Sequence, residues 1–284
     1  LTGDVAVNGA LVFDRSDAVT YAGALSGNGS VSQAQGSLTL SGGSGGFGGT
    51  FTASGAGLAV TGQFGNADAH LNVASGTLSG AGSIGGTVTL ADGAHLAGIS
   101  GSTLSMGALV LGSGSMVDIT LGQPSTSALF AIAGDLTLDG TLNVATQPGY
   151  GTGIYRLFSY GGALTDKGLA LGTGTGDLFV QTANAGQVNL VNSSGVTLSF
   201  WDGGIAANHD NGRIEGGSGA WSLGTRNWTD ANGALNGPMQ PVTGFAVFQG
   251  NGSTVTIDNG AGQVGATGMQ FAVSGYTLAG GALA

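Results

Sequence analysis

A few residues in this chain have the types and spacing that chemistry requires. Gly42–Gly46, GGSGG, satisfies G-x-S-x-G, the turn that lifts a serine nucleophile above a sheet. That turn needs a strand before it, a helix after it, and His and Asp partners. No helix is predicted downstream, and with 60 Gly in 284 residues such matches arise by chance. Ser44 therefore reads as part of a Gly-rich corner. Gly43, Gly45 and Gly48 also fit G-x-G-x-x-G, but without the βαβ unit that gives the pattern meaning. The three histidines are His70, His95 and His209. His70 and His95 stand at a separation that, in a coiled chain, is close to one repeat. They read either as two surface turn residues or as a metal pair that lacks a third ligand in sequence. No Ser-His-Asp set can be assembled, and no cofactor or metal is expected.

The best candidate for a site lies in residues 201–233. Asp202, Asp210 and Asp230 stand near Asn208, Asn211 and Asn232, among Trp201, Trp221 and Trp228. Oxygen ligands in Gly-rich turns suit calcium, and exposed aromatic rings would form a binding patch. The alternative is an aromatic mini-core whose Asp and Asn side chains bond their own backbone in turns. The ordinary turn dipeptides DG, NG and DN favour that alternative.

The elements that must position these residues follow from composition. Glycine is about three times its usual share of roughly 7%. There is no G-X-Y period and there are only 4 Pro, which excludes collagen. Disorder is excluded because 41% of residues are hydrophobic and 7% charged. The net charge is -10, with 5 Lys and Arg against 15 acidic residues. No basic cluster exists to hold phosphates, so nucleic acid is not an expected partner. Glu215 is the only Glu and Lys167 the only Lys, so almost no helix is expected. The longest apolar run, Ala128 to Ala133, is too short to span a bilayer as a helix. Cysteine is absent.

Short apolar dyads recur at regular spacing. Leu38-Thr39-Leu40 returns as Leu58-Ala59-Val60, and Val88/Leu90 as Leu109/Leu111, each about 20 residues further on. Such a period marks one supersecondary unit repeated, as in a β-solenoid. Each coil holds about three short strands, and successive coils stack as parallel strands about 4.8 Å apart. Leu38 and Leu40 point inward and Thr39 outward, because side chains alternate along a strand. An antiparallel sandwich would carry more aromatic and β-branched residues and fewer Gly. The pattern breaks at 146–162, TQPGYGTGIYRLFSYGG, which reads as a hairpin or cap. Strands resume at Leu178–Gln181, Val188–Val191 and Val196–Phe200, and the solenoid is expected to restart near Trp201. Three parts are drawn on this basis: coils over 1–127, a cap-like segment over 128–192, and a second module over 193–284.

GSLTLSGGSGGFGGTFTASGAGLAVTG (36–62) resembles the autotransporter-associated β-strand repeat, with Phe47 where that repeat has its aromatic. GAGSIGGTVTLADGAHLAG (80–98) resembles the unit that commonly follows it. AGDLTLDGTLNVATQPGYGTGIYRLFSYGGALT (133–165) is similar to the cap-like segments of pertactin-type passenger domains. The resemblance implies an all-β chain folded as a right-handed parallel β-helix, displayed at a bacterial surface. It implies a C-terminal outer-membrane β-barrel in a longer parent chain, of which this chain is expected to be a piece. It also implies adhesion, either to a host-surface or extracellular-matrix ligand or by self-association. A passive stalk is the alternative. A β-helical polysaccharide lyase is the enzyme rival, but Arg15, Arg156, Arg213, Arg226 and Lys167 are scattered and offer no clustered base.

Overall fold

A computed structural model describes residues 3–284. The chain forms two compact units. The first runs to Gly122 and includes Ser127–Pro148 and Leu157–Thr175; the second comprises Gln123–Thr126, Gly149–Arg156 and Gly176–Ala284. Both are β-solenoids of mostly parallel strands. Among the described residues the one helical element is a single 3-10 turn, Ala206–Asn208, and no helix is long and apolar enough to cross a membrane. These units do not coincide with the three sequence modules.

In the first unit, one wall is a parallel stack running Ala18–Tyr21, Ser37–Leu40, Gly57–Val60, Thr77–Gly80, His95–Ile99, Met116–Leu121, Thr141–Thr146 and Ala170–Leu171. Its register places Leu38, Leu58, Leu78, Leu96, Val117 and Leu142 in one column, every member buried. A second wall aligns Val31, Phe51, Leu71, Val88, Leu109 and Leu136, again all buried. Leu38 and Leu40 face the core and Thr39 is half-buried, as the strand alternation requires. Between the columns the aromatic rings pack edge-on, with Phe51 and Phe64 at 5.5 Å and 87°.

The register explains where the repeat spacing drifts. Leu38, Leu58 and Leu78 pair in equal steps along the sequence. The step from Leu78 to Leu96 is shorter. In the shorter coil the corner at 65–69 between Gln63–Phe64 and His70–Val73 is replaced by Gly85-Gly86. The chain then crosses the corner as one eight-residue strand, Ser83–Leu90, with a register shift between Ile84 and Thr87. Bulges of this kind bend a strand without breaking its ladder. Gly80 shows why side chains are absent at such points. Its φ is 131°, and a Cβ there would strike the Val60 carbonyl oxygen of the coil beneath.

The interruption expected at 146–162 is a loop over 147–152 followed by an eight-residue strand, Gly153–Tyr160. It is not a hairpin, because Phe158 to Tyr160 pair in parallel with Phe130 to Ile132 of the preceding coil. Phe130 and Phe158 stack there at 5.1 Å.

In the second unit an antiparallel hairpin joins Leu178–Gln181 to Gln187–Asn192. Parallel stacking is present again from Leu198 onward. Leu198–Trp201, Phe245–Phe248 and Gly268–Phe271 form one wall; Gly219–Trp221, Thr254–Ile257 and Thr277–Gly280 form another. The step from Leu198 to Phe245 is far longer than the one from Phe245 to Gly268. The first of these coils therefore carries a long excursion, and the candidate residues 202–233 lie in it.

Leu58 sits between Leu38 and Leu78 and is buried, so Leu58→Ala should cost about 2–5 kcal/mol. The neighbouring outward position tolerates change, and Ala59→Ser should shift stability by less than about 0.5 kcal/mol. Urea unfolding of the two variants checks the contrast.

Candidate functional site

The three indoles are interior. Trp201, Trp221 and Trp228 are 0%, 1% and 2% exposed and pack with Phe248, Met239 and Val255 in one cluster. Trp221 and Trp228 meet at 4.8 Å and Trp201 and Trp228 at 5.1 Å, both edge-to-face. Trp201 and Trp221 end inward-facing strands, and Trp228 lies on a short strand antiparallel to Phe200 and Trp201. The exposed aromatic patch is therefore corrected to an aromatic core: a solenoid with so few large apolar residues per coil buries the ones it has. Trp201 Nε1 donates to the Gly217 carbonyl at 2.8 Å.

The acidic residues have three different surroundings. Asp202 is fully buried; its Oδ1 accepts the Glu215 amide at 2.8 Å and its Oδ2 accepts Asn236 Nδ2 at 2.9 Å. Burial, with a smaller contribution from the Glu215 carboxylate, pushes its pKa up to about 6, against the pull of those two hydrogen bonds. Asp210 has a positive φ of 58° and accepts the Asn236 amide at 2.5 Å, while its own amide donates to Asn236 Oδ1. That backbone bond, together with Arg226, holds its carboxyl below the ordinary value. Asp230 accepts the amides of Asn232 and Ala234 and closes its own turn. Asn236, a residue the sequence reading passed over, links Asp202 to Asp210 and also accepts Arg226 through its carbonyl. Nothing in its local sequence marks this role, since its partners are distant along the chain. These carboxylates hold the excursion in shape. Among the described residues no group of three or more His, Cys, Asp or Glu converges.

The other sequence candidates also disperse. Ser44 is buried, and its Oγ accepts the Leu25 amide at 2.9 Å. His70 pairs with Thr50 and Thr87 on one wall, and His95 with Thr77 and Met116 on the other. Both therefore open strands rather than sitting in turns. The separation of the two is not a whole coil at this point, so the two residues fall on different walls. His209 Nε2 contacts the Gly203 carbonyl at 3.0 Å.

A feature the sequence did not single out lies on the outer face of the first unit. A groove of about 660 Å³ opens beside the strands His95–Ile99, Met116–Leu121 and Thr141–Thr146. Register sets two outward columns next to each other there, Ala97–Asp118–Asn143 and Ile99–Thr120–Ala145. A hydrogen-bonded chain follows the first column. His95 Nδ1 meets Asp118 Oδ2 at 2.5 Å, Asn143 Nδ2 donates to Asp118 Oδ1 at 2.8 Å, and Thr173 donates through N and Oγ1 to Asn143 Oδ1. The signal in sequence was the outward polar residue of each coil, visible only once the register is known.

The Asp202 shift has a measurable sign. The carboxyl titrates near 3.8 in its ordinary state and near about 6 when folded, so the folded state holds the extra proton between those values. This stabilisation is present below about pH 4 and lost as pH rises through about 6. Unfolding of the second unit, followed by the fluorescence of its three buried Trp, should show a loss on the order of 2 kcal/mol between about pH 4 and pH 7. Asp202→Asn should flatten that profile; an unchanged profile would assign it to other groups.

No family model matches the chain. Over 301 aligned residues, 95% of this chain, it is 43% identical to the adhesin BmaC autotransporter of Brucella suis biovar 1 (strain 1330). The chain spans 8% of that relative's length. The chain is a β-solenoid similar, along nearly its whole length, to one stretch of an autotransporter adhesin.

Proposed function

We propose that this chain is a segment of an autotransporter passenger, exposed outside the bacterial outer membrane and acting in adhesion. The observation that carries the reading is the 43% identity, across 95% of the chain, to a protein named as an autotransporter adhesin. The parallel ladder supports it, since coil stacking builds long outward columns of small polar residues that many weak contacts can engage. The partner is a host-surface or extracellular-matrix ligand, or the same protein on a neighbouring cell. The parent chain carries an outer-membrane β-barrel that anchors it.

A binding role is favoured over catalysis by the state of the reactive residues. Ser44 is buried in a structural hydrogen bond, and the histidines stand on separate elements. The wide groove on the first unit is a recognition surface in this reading.

The test displays the whole parent protein on a non-adherent bacterium, beside the same protein lacking residues 1–284. Adhesion or aggregation should fall with the deletion while surface display stays unchanged. Undiminished adhesion would make this segment a stalk that presents a binding region elsewhere.

A further inference from the structure

The groove on the first unit has a definable ligand chemistry. Its volume, about 660 Å³, is that of a small-ligand site. The three strands are interior to their wall, and the central one, Met116–Leu121, is paired with both neighbours along its length, while residues 97–99 and 143–146 each keep one side without a strand partner. The backbone N–H and C=O groups of residues 116–120, at the centre of the groove, are therefore committed to the ladder, and there side chains are what a ligand meets. An extended peptide laid here would bury its own backbone groups without partners, which is costly. A ligand whose polar groups lie at its edges suits the surface better.

The side chains present are of two kinds, set side by side. Asp118 and Asn143 form the polar column, fixed by their bonds to each other, to His95 and to Thr173. Each Asp118 oxygen uses one of its two lone pairs in those bonds, and Asn143 keeps one amide hydrogen. Acceptors and a donor are thus held in place without further ordering. The adjacent column offers Ile99, exposed at 49%, with Ala145 and the Thr120 methyl. Among the described residues Asp118 is the one charged group lining the groove, and no Lys or Arg lines it. An anion would meet a carboxylate in a chain of net charge -10.

The geometry points to a neutral oligosaccharide as the ligand of this groove. Ring hydroxyls would donate to Asp118 and accept from Asn143, while the C–H face of the sugar lies on Ile99 and Ala145. The coil rise, about 4.8 Å, would carry successive sugars along the stack. This deepens the adhesion reading by naming a ligand class, though the groove can be tested without cells.

The test titrates the 284-residue chain with lactose, maltotriose and N,N′-diacetylchitobiose, using saturation-transfer NMR and calorimetry. Sialyllactose and a Lys-rich peptide serve as comparators. At least one neutral sugar should bind, and sialyllactose should bind more weakly. Ala97→Trp fills the groove from an outward position and should reduce affinity by about tenfold or more. Asn143→Ala should do the same by removing the donor. Asp118→Asn, which keeps the shape, should weaken binding and narrow the preference against sialyllactose. Circular dichroism and melting temperature identify any variant that misfolds, and the remaining variants then decide. Binding of none of the neutral sugars, sugar binding unaffected by Ala97→Trp in a folded protein, or preference for the Lys-rich peptide would each overturn the inference. Retained cell adhesion alongside absent sugar binding would remove the groove ligand while leaving the adhesion reading intact.

Discussion

The parallel ladder between successive coils is the interaction on which everything else depends. Each strand is only a few residues long and contributes two inward side chains, as in Ser37–Leu40 and Gly57–Val60. Alone, such a coil could not offset the entropy of ordering its backbone, about 1–2 kcal/mol per residue. Its stability comes from lying between two others, where Leu58 covers Leu38 and is covered by Leu78. Stability in such a stack is a sum of neighbour terms rather than the property of a single core.

That dependence explains the glycines. Coils about 4.8 Å apart leave no room for a Cβ where one corner passes over the carbonyl of the next, as at Gly80 above Val60. Some buried polar side chains also tie one coil to the next. Gln33 Nε2 donates to the carbonyls of Gly36 and Gly57, linking adjacent turns from inside. In the second unit the same logic handles the long excursion after Trp201. Asp202 and Asn236 fasten it from within, and the three Trp fill the volume it encloses.

Surface and core divide the labour accordingly. The three Trp, with Asp202, Asp210 and Asp230, are spent on holding the excursion. The outward columns, built of ordinary Thr, Asn, Asp and Ala, are where a ligand has access. Their order is a by-product of the inward register: once Leu96, Val117 and Leu142 stack, Ala97, Asp118 and Asn143 must also align, one position on and facing out.

The sequence by itself determined the repeat, the all-β solenoid and the direction of side chains such as Leu38 and Thr39. These depend on local periodicity and on glycine at corners, both visible along one strand. The tertiary structure alone decided which coil residues become neighbours. His70 and His95 stand on different walls, because their separation exceeds the coil length there, though their spacing suggested one repeat. The structure alone also decided that Trp201, Trp221 and Trp228 face inward, and that Asn236 reaches back across the excursion to Asp202. The physical reason is the same in each case. The ladder holds strands in register while the corners absorb insertions and deletions, so which residues become neighbours depends on corner lengths that no single stretch displays.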